Sequence, residues 1–143
     1  MQVSAVSLAA MSVLGAAPSP TQRRRPNVLL IFLDDLGSID LNCYGATDLE
    51  TPNFDALAAS GLRFTQFYSA SPICSASRGG TLTGRYPQRN GLTDNASSEP
   101  GIGAALPASE RTIAAVLKDA GYATGHVGKW HMGYTPDTIP TAH

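Results

Sequence analysis

Apolar and polar positions along this chain fall into blocks that change period several times. Val28-Leu29-Leu30-Ile31-Phe32-Leu33 is an unbroken apolar run, which fits a strand covered on both faces in a parallel sheet better than one with a wet face. It stops abruptly at Asp34-Asp35-Leu36-Gly37. Thr51 and then Pro52 have the character of an N-cap and first helical position, Phe54, Leu57 and Ala58 can face inward, and Gly61 is placed to end the helix. Leu62 to Tyr68 is a second strand candidate, followed by turn composition from Ser69 to Cys74. A helix is expected from Ser75 to Leu82, although Gly79 and Gly80 weaken it by up to about 1 kcal/mol each relative to Ala. Residues 85 to 108 are rich in Gly, Pro, Ser and Asn and are expected to form one long loop, a feature that often carries function.

The clearest amphipathic helix follows. Ser109 is expected to cap it, Ile113, Val116, Leu117 and Ala120 recur at i, i+3, i+4 and i+7, and Gly121 is its stop. Tyr122 to Val127 is a third strand candidate, delivering Gly128-Lys129-Trp130-His131-Met132-Gly133 at its C-terminal end. The order strand, helix, strand predicts an α/β fold with a mostly parallel central sheet and flanking helices. In such sheets ligands collect outside the carboxyl ends of strands. Asp34-Asp35 and the Lys129/His131 pair both fall there.

Composition narrows the function classes. The 143 residues are 43% hydrophobic and 15% charged, with a formal net charge of −1, which argues against a nucleic-acid binder with a broad basic face. The length fits one domain, able to bury roughly two-thirds of the surface its unfolded chain exposes. Residues 1–17 carry no charged side chain and end in Gly15-Ala16-Ala17 before Pro18-Ser19-Pro20. This stretch resembles a secretory leader with an A-x-A-like cleavage site, without the usual Lys or Arg near Met1. The expected organisation is therefore a leader over 1–17, a linker over 18–25 and a catalytic portion over 26–143, in a secreted or periplasmic protein. The apolar run of the leader is too short to span a membrane.

Three groups of residues carry candidate chemistry. Asp34 and Asp35 are adjacent carboxylates at a strand end, where they repel. A hard divalent cation resolves that conflict, as does capping or solvent exposure. Cys74 precedes a helix and is followed four residues later by Arg78, so a helix N-terminus and a guanidinium both favour negative charge there. An activated nucleophile, a bound oxyanion, a buried structural thiol and a Cys43–Cys74 bridge all remain open on this evidence. Lys129 and His131, two apart, project to one side of an extended segment with Trp130 opposite as packing. That pair suits an anionic substrate, Lys as a point charge and His as a hydrogen-bond donor or general acid/base, and a structural role for His131 is equally consistent. His126 reads as structural.

Three segments together resemble the type I sulfatases of the alkaline-phosphatase superfamily. Pro26 to Asp35 is like that family's opening strand and metal-binding aspartates. Cys74-Ser75-Ala76-Ser77-Arg78, continued through Gly79 to Arg85, is similar to the signature around the cysteine that a maturation enzyme oxidises to formylglycine. Gly121 to Gly133 is similar to the second family signature. The resemblance covers residues 26 to 140 and implies an alkaline-phosphatase-like sandwich acting as a sulfuric ester hydrolase.

The resemblance also implies site roles. Asp34, Asp35 and the modified Cys74 would bind Ca2+, with Mg2+ as the alternative, Arg78 would steady the hydrated aldehyde, and Lys129 and His131 would contact the diol and the sulfate. One hydroxyl of the diol attacks sulfur, the alcohol leaves, and elimination releases sulfate and restores the aldehyde, combining covalent and electrostatic catalysis. The implied partners are a sulfate-ester substrate and a formylglycine-generating enzyme. Two departures stand out. Ala76 lies where the motif usually has proline, and the further metal ligands, His and Lys that the family takes from later sequence do not occur before His143. The expectation is an N-terminal portion of a longer sulfatase, inactive and aggregation-prone alone. A related phosphate or phosphonate ester hydrolase and a non-catalytic binding module are the alternatives.

Overall fold

A computed structural model describes residues 25–99 and 102–143. The expected leader over 1–17 and nearly all of the expected linker over 18–25 lie outside the described residues. The chain divides into two compact units, Met1–Phe32 and Leu33–His143. In the first, the apolar residues Val28 to Phe32 form no strand and are exposed, Leu29 by 84%.

In the second unit four α-helices are separated by irregular segments: α1 (Pro52–Ser60), α2 (Cys74–Thr83), α3 (Pro87–Asn90) and α4 (Ile113–Asp119). α1 matches the expectation at both ends, starting on Pro52 and giving way at Gly61. The Thr51 side chain is not its cap, however. Thr51 Oγ instead accepts from the Asn42 N–H at 2.9 Å. Phe54 and Ala58 are half-buried, whereas Leu57, expected to face inward, is exposed. α4 also departs from expectation at its start: Thr112, not Ser109, is the N-cap, its hydroxyl accepting from the Ala115 N–H at 3.2 Å.

α2 extends the expected helix by one residue at each end, and Gly84 closes it in a left-handed turn with its N–H on the Gly80 carbonyl at 2.9 Å. Gly79 and Gly80 persist in this helix because neighbours crowd it. A Cβ on Gly79 would sit 3.1 Å from Leu92 Cδ2, and one on Gly80 would sit 3.1 Å from Ala70 Cβ. The segment from 85 to 108, expected to be all loop, contributes α3 and two pillars of the small core. Leu92 and Leu106 are fully buried with Met132, and Leu82, Ala104 and Trp130 pack around them.

No strand forms among the described residues. The three candidate segments have the right side chains, yet a strand needs a neighbour to take its N–H and C=O groups. None of the three pairs with another, and Leu62, Phe67 and Val127 are 89%, 80% and 100% exposed.

Candidate active site

The residues singled out by chemistry come together within the second unit. Asp34 and Asp35 follow the apolar run, Cys74 opens α2, and a ligand atom from each lies within 4.8 Å of the other two. Asp35 adopts φ 55, a left-handed conformation unusual for a residue with a Cβ. That conformation breaks strand alternation, so two successive carboxylates can serve one locus. Cys74 and Cys43 are both free, which removes the bridge between them as a reading of this structure.

Arg78 stands one turn after Cys74, on the same face of α2, and is nearly buried. Its guanidinium donates through Nη2 to Asp34 Oδ1 at 3.0 Å and through Nη1 to the Lys129 carbonyl at 2.7 Å. Lys129 returns to the same carboxylate, Nζ donating to Asp34 Oδ2 at 2.7 Å. Asp34 is thus gripped by two cations that lie 44 and 95 positions further along the chain. The Lys129 hydrogen bond first and the Arg78 hydrogen bond second hold its carboxyl down at about 2, and the same contact raises Lys129 above the ordinary lysine range.

Lys129 and His131 line one recess of about 410 Å3 together with Trp130, Tyr134, Ile139 and Pro140. Strand geometry does not put them there. His131 has φ 55, so the segment turns between them. His131 Nδ1 is buried and has no hydrogen-bond partner among the described residues. Trp130, expected opposite the pair, borders the same recess, and it packs edge-on to His126 and against His143 at ring separations of 5.5 and 5.7 Å, with Nε1 donating to the Thr138 carbonyl at 2.8 Å.

The groups that bind these segments together carry no local sequence signal. Ser75 Oγ donates to the His131 carbonyl and accepts from the Ala96 N–H at 2.9 Å, while the Ser75 N–H donates to Asn95 Oδ1 at 3.3 Å. These contacts span 20 to 56 residues, beyond the reach of any local pattern.

Comparison with known proteins gives the arrangement its setting. The family model described as "Sulfatase" matches residues 26–141. The chain belongs to the sulfatase family. It is 45% identical over 136 residues to human N-acetylgalactosamine-6-sulfatase, covering 91% of this chain and 26% of that protein. It is 51% identical over 122 residues to bovine arylsulfatase A, covering 85% and 23%. Among solved structures, Ps i-CgsB superposes with a TM-score of 0.70 at 41% identity, over 76% of this chain and 24% of that one. The chain thus spans about a quarter of the length of the curated relatives it matches.

Among sulfatase family features, the donor set at Asp34, Asp35 and Cys74 fits a divalent cation in part. Two carboxylates converge as a hard ion requires, whereas a thiol is a soft third ligand. An oxygen in place of the Cys74 sulfur would make the set uniformly hard. No helix among the described residues is long and apolar enough to cross a membrane.

Proposed function

We propose that this chain carries the nucleophile and part of the cation site of a sulfuric ester hydrolase. The convergence of Asp34, Asp35 and Cys74 within 4.8 Å supports that reading most directly. In it, a maturation enzyme oxidises Cys74 to formylglycine, whose hydrate offers a hydroxyl to attack the sulfur of a sulfate ester. Asp34 and Asp35 hold Ca2+, with Mg2+ as the alternative, together with the oxygen that replaces the Cys74 thiol. When bound, the cation supplies charge stabilisation for sulfate oxygens.

The remaining roles belong to the chain itself. Arg78, anchored on Asp34 and on the Lys129 carbonyl, orients the carboxylate beside Cys74 and presents positive charge where the diol forms. Lys129 faces the recess as a point charge for an oxyanion, and His131 contributes a ring nitrogen able to donate or accept a proton. The recess offers Trp130 and Tyr134 to the alcohol portion of the ester.

The segments 28–33, 62–68 and 122–127 are, in this proposal, strands of an alkaline-phosphatase-like sandwich whose ladder partners lie outside the described residues. Their apolar sequence and exposure support that role. The apolar, uncharged stretch over 1–17 supports export to a secreted or periplasmic location, with 18–25 as linker and 26–143 as catalytic portion.

Turnover of paired aryl sulfate and aryl phosphate substrates by the intact protein tests the function. Preferential cleavage of the sulfate is expected. Preference for the phosphate would transfer the site to phosphoryl chemistry, and turnover of neither would leave a binding module.

A further inference from the structure

We infer that Ser75 is a positioning residue for His131, its buried hydroxyl holding the left-handed turn that brings the imidazole to the recess. The inference rests on the proposal that His131 takes part in sulfate-ester cleavage. Ser75 is fully buried, and a hydroxyl has one proton to donate. That proton goes to the His131 carbonyl, and a lone pair accepts the Ala96 N–H at 2.9 Å. Three separate stretches of chain, the start of α2, the segment at 95–96 and the turn at 131, therefore meet at one oxygen.

The turn needs such a clamp. His131 is one of two described non-glycine residues with positive φ, a conformation that persists only where the surroundings over-determine it. The next residue, Met132, is fully buried and its carbonyl accepts the Leu106 N–H at 2.7 Å. One side of the turn is thus fixed by the core and the other by Ser75. Without the Ser75 hydroxyl, the His131 carbonyl and the Ala96 N–H both lose this partner in a dry setting, and the His131 backbone is free to relax to an ordinary φ, carrying the ring away from the recess.

A double-mutant cycle in the intact, formylglycine-converted protein separates positioning from general support. Ser75→Ala, His131→Ala and the double variant are assayed on an aryl sulfate, with kcat normalised to the converted fraction read by mass spectrometry, because Ser75 adjoins the modified cysteine. Displacement of a ring by about 1 Å costs up to roughly a hundredfold, so Ser75→Ala is expected to lower kcat by about ten- to a hundredfold where His131 is present. Where His131 is already Ala, the same change is expected to cost less than about twofold, since it acts through the missing ring. Equal losses on both backgrounds, or no loss on either, would overturn the role of Ser75. An unmutated protein that cleaves no sulfate ester would overturn the functional proposal together with it. Should Ser75→Ala not accumulate as folded protein, Ser75→Cys keeps the volume with a much weaker donor, and the same cycle decides.

Discussion

At the scale of single residues, Asp34 is the pivot. Arg78 and Lys129 reach it from sites 44 and 95 positions away, and both need it ionised. Its folded carboxyl, near 2, lies below the ordinary 3.8. Whatever stability these pairs contribute is therefore complete above about pH 4 and is lost as pH falls towards 2, because an unfolded chain takes up the proton first. The carboxylate is partly exposed, so solvent screening keeps that contribution small. In chelator-treated protein, Asp34→Asn is expected to flatten the acid limb of the stability curve between pH 4 and 2, measured by denaturant midpoint. An unchanged limb would contradict the pairing. Cys74 carries a sharper expectation: Cys74→Ala abolishes aryl sulfate turnover in the intact protein while leaving its thermal midpoint within a few degrees, since the residue is only half-buried and truncating its short side chain creates little cavity. Full retention of activity would remove the proposed nucleophile.

Elements show which parts of the design are local. α1 was readable because Pro52 and Gly61 act within a few residues, and Cys74 and Arg78 share a face by helical spacing alone, whereas the Gly84 turn that closes α2 was not singled out. The Asp34-Asp35 pair and the Lys129/His131 pair were equally visible, being short linear patterns. The left-handed turns at Asp35 and His131 were not, because neither residue is a glycine and the forces holding them come from distant chain. α3 was hidden inside a stretch whose composition reads as loop, and the helix cap at Thr112 lost out to Ser109, three residues upstream. The small residues carry a further expectation. Gly133 has φ +152, and a Cβ there would lie 2.3 Å from Thr138 Cβ, next to the carbonyl that receives the Trp130 ring N–H. Gly133→Ala is expected to lower the melting temperature of the intact protein clearly, with a stability loss on the order of 1–3 kcal/mol from overpacking. In α2, Gly79→Val acts similarly by driving its side chain into Leu92 and Asn90, despite the better helix propensity. Unchanged melting temperatures would show that these contacts yield without strain.

On the scale of the whole molecule, little apolar surface is buried among the described residues. The buried hydrophobic residues among those described are Ala76, Leu92, Ala96, Leu106 and Met132. The apolar run at 28–33 and the aromatic residues Phe64, Phe67 and Tyr68 are exposed, as expected where the strands read from sequence find no partner among the described residues. Composition marks these segments as strand candidates, but pairing is a property of non-neighbouring chain and cannot be read from one segment. A polypeptide limited to these 143 residues is expected to bind a hydrophobic dye strongly, associate with rising concentration, and melt without a sharp cooperative transition. A monomeric species with a steep transition would contradict that expectation.

The central claim is that Cys74 becomes an oxygen-bearing nucleophile beside a pair of carboxylates. Trypsin releases it in the peptide from Phe64 to Arg78, and the mass of that peptide, taken from intact protein active on an aryl sulfate, tests the claim directly. In the active population the thiol mass is expected to be replaced by that of the aldehyde or its hydrate. Active protein whose peptide carries only an unmodified thiol would contradict it.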